Sequence, residues 1–112
     1  MDVNSKNGKG RSALHYAAYE GNVGVVKLLL AHPQLDVNTI DNCGFTALHG
    51  ALHIAAQANQ DQMLDLLLGD PRLSSALIYK SKNGVTPVMA AVKVNNVNAL
   101  QKFLDHPGVD RP

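Results

Sequence analysis

The apolar residues of this chain occur in short blocks, and the blocks come in pairs. The first block of each pair directly follows a serine or threonine, and the second is a leucine-rich run that ends shortly before a proline. Apolar residues in runs of this kind, bounded by capping and breaking residues, are typical of short amphipathic helices. The pattern predicts three helix pairs, whose first helices begin near Ala13, Ala47 and Pro87.

The three pairs are copies of one unit. In each copy a glycine stands two positions before the serine or threonine, and 34 residues separate Gly10 from Gly44, while 40 separate Gly44 from Gly84. A single short helix pair cannot bury its apolar face, so repeats of this length stack on one another. The sequence therefore predicts a stack of small units in place of one central core.

The first copy shows the local rules most clearly. Ser12 is a good N-cap for a helix over about Ala13 to Glu20, and Gly21 is suited to the left-handed conformation that ends a helix. Asn59 and Asn95 stand at the place of Gly21 in the later copies, and asparagine is the next most tolerant residue there. We therefore expect each first helix to end at one of these three residues.

The first copy, from Gly10 to Asn38, contains a characteristic set of residues: Ser12-Ala13-Leu14-His15, Ala17-Ala18, Gly21-Asn22, Leu28-Leu29-Leu30 and Asp36-Val37-Asn38. On these residues the segment resembles an ankyrin repeat, and the resemblance covers nearly the whole chain. It implies an all-α ankyrin-repeat solenoid of stacked helix-turn-helix units with projecting hairpin-like turns, which we call fingers. The whole chain, 1–112, would be one domain, with repeats at approximately 5–38, 39–76 and 77–110. The third copy, Thr86-Pro87-Val88-Met89, lacks the histidine of the family phrase.

The second repeat carries an insertion. Thr46 to Asn59 spans 13 positions, whereas Ser12 to Gly21 spans 9, and the four extra residues come from a doubled Ala-Leu-His phrase. Four residues are close to one helical turn. We therefore expect either a first helix about one turn longer than its neighbours or a bulge in that helix.

Residues near both ends of the chain indicate whether the outer repeats face solvent or pack on further repeats. Asp2-Val3-Asn4 repeats Asp36-Val37-Asn38, as the tail of an earlier repeat would, and Lys102 replaces a leucine, which favours a solvated end. The expected state is a monomer or a segment packed on further repeats of a longer chain.

Composition narrows the function classes. The net charge is +1 with mixed signs, which points to neither nucleic acid nor a membrane as partner. The single cysteine, Cys43, fits a reducing compartment, and no signal peptide or membrane-spanning run is visible. We expect an intracellular protein, cytoplasmic or nuclear.

Catalytic and metal chemistry find little support in the residues. His49 and His53 have the i, i+4 spacing of a metal clamp, but Gly50 stands where a zinc protease has its glutamate. Each histidine is better explained as part of the repeat phrase, tying a finger to its neighbour. Cys43 has no evident activating partners. We expect no enzyme activity, no cofactor and no metal.

The resemblance implies a protein-interaction module that binds a protein partner through its finger tips and concave helix face. An alternative is a structural or regulatory ankyrin segment of a larger enzyme, channel or scaffold. The family's variable contact positions correspond here to Lys9, Arg11, Tyr19, Glu20, Asn42, Phe45, Gln57, Lys82, Val85 and Lys93.

One further resemblance concerns modification. Leu30 followed by Asp36-Val37-Asn38 is similar to sites hydroxylated by the asparaginyl hydroxylase of animal cells, which makes Asn38 a candidate. The alternative is an asparagine whose side chain bonds its own turn.

Overall fold

The computed structural model describes residues 2–73 and 80–106, and every regular element in these two segments is a helix. The six helices are α1 Ala13–Glu20, α2 Val23–Leu30, α3 Ala47–Ala51, α4 Gln57–Gly69, α5 Pro87–Lys93 and α6 Val97–Asp105. None of the helices in these segments is both long enough and apolar enough to cross a bilayer.

The helices form two layers that run along the stack. The first helices pack in the order α1, α3, α5 and the second helices in the order α2, α4, α6, and each first helix also packs on its own second helix. The core is a continuous apolar layer between them that includes Leu14, Val26, Leu48, Leu64 and Phe103, all almost completely buried. The all-α solenoid expected from the repeats is confirmed.

The helix ends follow the predicted rules in the first and third repeats. Gly21 ends α1 in the left-handed region with φ 75°, and a β-carbon there would lie 3.2 Å from Ile54 Cγ2. Asn95 has φ 56° after α5, as expected. Thr86 Oγ1 accepts the Met89 N–H at 3.2 Å and so caps α5.

The fingers share one hydrogen-bonding device at their base. Asn7 Oδ1 accepts the N–H groups of Lys9 and Arg11 at 2.9 and 3.1 Å, and Asp41 Oδ1 plays the same part in the second finger. Gly10 then turns with φ 73°, and a β-carbon there would come within 2.8 Å of the Asn42 nitrogen in the next finger. The glycine therefore allows neighbouring fingers to approach closely.

The insertion neither lengthens the first helix nor forms a bulge within it, so both predicted alternatives are wrong. Helix α3 has 5 residues against 8 in α1, whereas α4 has 13 against 8 in α2. Asn59 lies inside α4 and ends no helix. The extra residues form a turn and a short irregular connection after α3, together with the first turn of α4. The leucine run that packs α4 against α2 keeps its place at the C-terminus of α4.

Gln60 stabilises this rearranged corner. Its side chain is 4% exposed, and its amide Nε2 lies within 3.2–3.4 Å of the carbonyl oxygens of Ala51, Leu52 and Ile54. Its Oε1 accepts Asn96 Nδ2 at 2.8 Å, which joins the corner to the third repeat. One buried side chain thus donates to backbone carbonyls of the turn that follows the early end of α3.

Polar contacts also join the turns that follow the second helices. Arg72 donates to Leu30 O and His32 O at 2.7 Å each, and it pairs with both carboxylate oxygens of Asp70 at 2.8 and 2.9 Å. The hydrogen bonds from Arg72 hold the pKa of Asp70 below its usual value. Arg72 therefore closes the C-terminal end of α2 from the neighbouring repeat.

Two expectations about the ends have different outcomes. Asn4 reaches the next turn as Asn38 does, since Asn4 Nδ2 donates to Gln34 O at 2.8 Å. Lys102 does not mark an outer face, because its Nζ lies 2.8 Å from Asp65 Oδ1 across the joint between α4 and α6. The boundary at 76/77 and the end at 110 lie outside the described residues, so the repeat limits stay predictions.

We expect Gln60→Met to lower the free energy of unfolding by about 1–3 kcal/mol, because buried carbonyls lose their donor while the side-chain volume is kept. Gln57→Met on the exposed first turn of α4 is the matched control and should change stability by less than about 0.5 kcal/mol. Urea denaturation followed by circular dichroism measures both. Equal stability of the two variants would show that the Gln60 amide contributes nothing.

Candidate functional site

A cleft of about 290 Å³ opens where the first two fingers meet α1 and α3, and we call it the groove. Its lining combines aromatic rings, histidines and charged groups: Arg11, His15, Tyr16, Tyr19, Glu20, Asp41, Phe45, Thr46, His49, Gly50 and His53. A β-carbon at Gly50 would lie 3.6 Å from the Tyr19 nitrogen, an ordinary van der Waals distance, so α1 and α3 are closely packed at this wall.

The finger side of the groove is built around Asp41. One carboxylate oxygen accepts the N–H groups of Cys43 and Phe45 at 2.8 and 2.9 Å, and the other lies 3.7 Å from Arg11 Nε. The Asp41 side chain is almost fully buried, whereas that of Arg11 is 40% exposed. The guanidinium carbon also lies 5.9 Å from the centre of the Tyr16 ring. Arg11 is thus held in place while it stays accessible.

The helix side of the groove carries two ring pairs. The Tyr19 and His53 rings are 5.4 Å apart between centroids, and those of Phe45 and His49 are 5.3 Å apart, both in tilted arrangements. Tyr19 and Phe45 are nevertheless exposed to solvent. Rings that are supported on one side and open on the other offer contact area at little cost in side-chain entropy.

Two buried histidines fix the fingers relative to the helices. His15 Nδ1 accepts the Ser12 N–H at 3.1 Å, and His15 Nε2 lies 2.9 Å from Phe45 O in the second finger. His49 repeats the arrangement with Thr46 at 3.1 Å and Val85 O at 3.0 Å in the third finger. A backbone N–H can only donate and a carbonyl can only accept, so the proton lies on Nε2 in both rings.

The environment of these two histidines favours the neutral ring. Burial lowers the pKa of His15 and His49 below the usual 6.5, and the hydrogen bonds to Phe45 O and Val85 O oppose this only in part. A second proton would also place Nδ1–H against the backbone N–H of Ser12 or Thr46. The repeat phrase therefore carries a structural histidine, as expected for His49.

His53 differs from that expectation. It lies exposed in the turn after α3, and its ring packs on Tyr19 in place of tying a finger. Since both ring nitrogens of His49 already have partners, the pair does not form a metal clamp in this arrangement. Within 2–73 and 80–106, no three His, Cys, Asp or Glu side chains are grouped to hold a metal. Cys43 is exposed and stands alone as a thiol.

The structure brings four of the ten predicted contact residues together in the groove: Arg11, Tyr19, Glu20 and Phe45. Lys9, Asn42 and Lys82 are exposed on the fingers, Val85 is half-buried at the base of the third finger, and Lys93 is exposed in the last turn of α5. Asn42 also bridges fingers, because its Nδ2 donates to Gly8 O at 3.0 Å.

Gln57 does not lie at the end of a first helix as Tyr19 and Lys93 do, so the repeat alignment that predicts it as a contact residue is wrong. It lies in the first turn of α4, where its Nε2 donates to Asp61 Oδ1 at 2.9 Å, and not at the end of the first helix. It borders a second, shallower cleft of about 430 Å³, which Val94 and Asn95 also line.

The sequence reasoning missed Tyr16, Asp41 and His53 as groove residues. Asp41 had a signal, because Asn7 and Ser81 at the equivalent positions are also small polar residues that can accept finger N–H groups. No sequence signal indicated that His53 would line the groove, because its position depends on which helix takes up the four inserted residues.

Asn38, the candidate for hydroxylation, is half-buried, and its Nδ2 donates to Arg72 O at 2.8 Å. This contact joins two successive repeat turns, so the structural explanation for the asparagine has a definite partner. Modification of Asn38 stays a prediction.

The family model, a sequence relative and a solved structure that resemble this chain are all described as ankyrin repeats. A family model described as ankyrin repeats, in three copies, matches residues 1–69. A protein of Rickettsia conorii named as an ankyrin repeat protein is 36% identical over 69 residues, which is 61% of this chain and 99% of that protein. The solved ankyrin repeat domain from Acinetobacter baumannii AYE superposes with a TM-score of 0.81 at 30% identity, over 93% of this chain and 52% of that one.

A longer relative is the human SMC5-SMC6 complex localization factor protein 1, which is 31% identical over 108 residues, or 96% of this chain. The match takes up 10% of that protein. The chain thus spans about a tenth of the length of the first curated relatives that it matches.

We expect acidification to lower the free energy of unfolding. Above the ordinary pKa of 6.5 both histidines are neutral whether the chain is folded or unfolded, and the stability contribution is fully present. Below that pH the unfolded chain binds protons that the folded chain resists, so stability is lost. His49→Met, the residue found at position 89, should reduce the loss between about pH 7.5 and about pH 5.5.

Urea unfolding at the two pH values measures this for wild type, His49→Met and the double variant His15→Met/His49→Met. The loss should shrink stepwise across the three proteins. The same pH dependence in all three would contradict the assignment.

Proposed function

The chain belongs to the ankyrin repeat family, and on that premise we propose that it is a non-catalytic module that binds a protein partner through its finger tips and the groove. Ankyrin repeats are in general protein–protein interaction modules, and their fold is in general non-catalytic. The observation that carries the proposal is the groove itself. It gathers Arg11, Tyr19, Glu20 and Phe45 into one accessible cleft.

The chemistry of the groove suits a peptide segment or loop of a partner. Tyr19 and Phe45 offer open ring faces for an apolar anchor, and tyrosine and arginine are enriched among residues that dominate binding energy. Glu20, exposed at the end of α1, and Arg11, on the first finger, place opposite charges on the rim. A partner segment with an apolar side chain flanked by one basic and one acidic residue would match this pattern.

The groove also has the rigidity that such binding favours. Its walls are fixed by His15 and His49, whose hydrogen bonds run from helix to finger across the repeats. Arg11 is oriented by a buried carboxylate. A preformed site loses little entropy when a partner binds.

The alternative, a structural or regulatory segment of a larger protein, remains a second proposal. What supports it is that the matching region makes up only 10% of the human relative. Localisation inside the cell also remains a prediction.

Affinity capture with quantitative mass spectrometry tests the main proposal. Tyr19→Ala/Phe45→Ala should lose the specific partner by roughly tenfold or more, because both rings are open to solvent in the groove and are supported by a histidine ring on one side. Lys27→Ala/Gln62→Ala changes exposed residues on the second-helix layer and is the matched control, which should retain the partner. Equal capture by both double variants would reject the groove as the binding site.

Asn38 hydroxylation is tested separately. Mass spectrometry of the chain produced in animal cells should show a single added oxygen on Asn38 if the site is recognised. Only unmodified Asn38 would remove the idea, and Asn4, which makes the equivalent turn contact, is the internal control.

A further inference from the structure

The two ends of the stack expose apolar side chains at positions that are buried in the other repeats. Val25 of α2 is 46% exposed, whereas its counterparts Met63 in α4 and Ala99 in α6 are fully buried. At the other end, Val92 of α5 is 59% exposed, while its counterpart Ala18 in α1 is fully buried. Each outer face thus keeps the apolar character of the internal joints.

Two exposed side chains, one at each end of the stack, correspond to two residues that line the same cleft inside it. Leu66 of α4 and Val23 of α2 line the same small cleft between the first and second repeats. The counterpart of Leu66 in the first repeat is Leu28, which is 76% exposed, and the counterpart of Val23 in the third repeat is Val97, which is 70% exposed. A second copy placed as the next repeat would bring its Leu28 against Val97.

The fingers are joined by backbone hydrogen bonds, and the first and third fingers have matching backbone groups without a partner finger in the described part of the chain. Asn42 N–H donates to Lys9 O at 3.0 Å between the first and second fingers, and Lys82 N–H donates to Cys43 O at 2.9 Å between the second and third. The groups that would continue this ladder are Gly8 N–H and Asn83 O. Neither makes a hydrogen bond within the described segments.

The third finger also has room for a neighbour. A β-carbon on Gly44 would lie 3.0 Å from the Ser81 α-carbon, because the next finger packs there, whereas one on Gly84 would meet nothing within 4 Å. The outer face of the third finger therefore has open space at the position where the second finger contacts its neighbour.

We propose that this chain self-associates head to tail, with the outer face of the first repeat of one copy stacked on the outer face of the third repeat of a second copy. The two faces are different surfaces, so the contact is heterologous and can extend to further copies. The joint lacks a histidine tie, because Met89 stands where His15 and His49 donate to the next finger. It is therefore weaker than the joints within the chain and reversible.

Sedimentation velocity of the purified chain, from micromolar to near-millimolar concentration, tests the proposal. The wild-type average mass should rise with concentration above the 12.0 kDa monomer. Leu28→Glu and Val97→Glu each place a charge on one exposed face, so each variant alone should stay monomeric. Their equimolar mixture should form a dimer and nothing larger, because it contains one intact face of each kind.

Val94→Glu is the matched control. Val94 is also exposed, but its counterpart in the first repeat is Glu20, on the groove side, so this variant should associate like the wild type. Circular dichroism should show unchanged folding in all three variants. A wild-type chain that stays monomeric, association that survives either face variant, or a mixture that fails to form the dimer would each overturn the proposal.

Discussion

The stacking of one repeat on the next is the interaction on which everything else in this molecule depends. A single short helix pair cannot bury its apolar face alone, and Leu14 and Val26 are fully buried in an apolar layer that runs through all three repeats. The buried histidines make that stacking directional, because each donates from its own helix to the next finger. A groove with fixed walls follows from this joint and needs no further element.

Much of the fold was predictable because its rules act over short distances along the chain. Ser12, Gly21 and Asn95 each occupy a backbone position with few suitable residues, so their spacing indicated where helices begin and end. The finger histidine was predictable in the same way, since its N-cap partner is only three residues away. The groove residues Tyr19 and Phe45 were found because the family pattern fixes their position relative to these markers.

The structural effect of the insertion could not be predicted by the same reasoning, because helix periodicity does not indicate which helix takes up four extra residues. The outcome is decided by contacts across the corner. Gln60 satisfies the carbonyls beyond Ala51, and Ile54 packs against Gly21 of the first repeat. These partners are distant in the chain or depend on the rearrangement itself. That is also why His53 was assigned to a finger contact when its ring in fact lies on Tyr19.

Met89 stands at the position where the first two repeats have a histidine that bonds to the next finger. This substitution affects how the third repeat can stack on a further repeat. His15 and His49 are buried and donate to a carbonyl of the next finger, whereas Met89 is 50% exposed and its side chain carries no donor. Methionine adds apolar surface at this half-exposed position and makes no directional hydrogen bond. The outer face of the third repeat therefore offers apolar side chains and finger backbone groups without a histidine tie, whereas the groove between the first two repeats keeps its hydrogen-bonded walls. The proposed binding in the groove and the proposed stacking at the ends therefore involve separate surfaces, and one need not block the other.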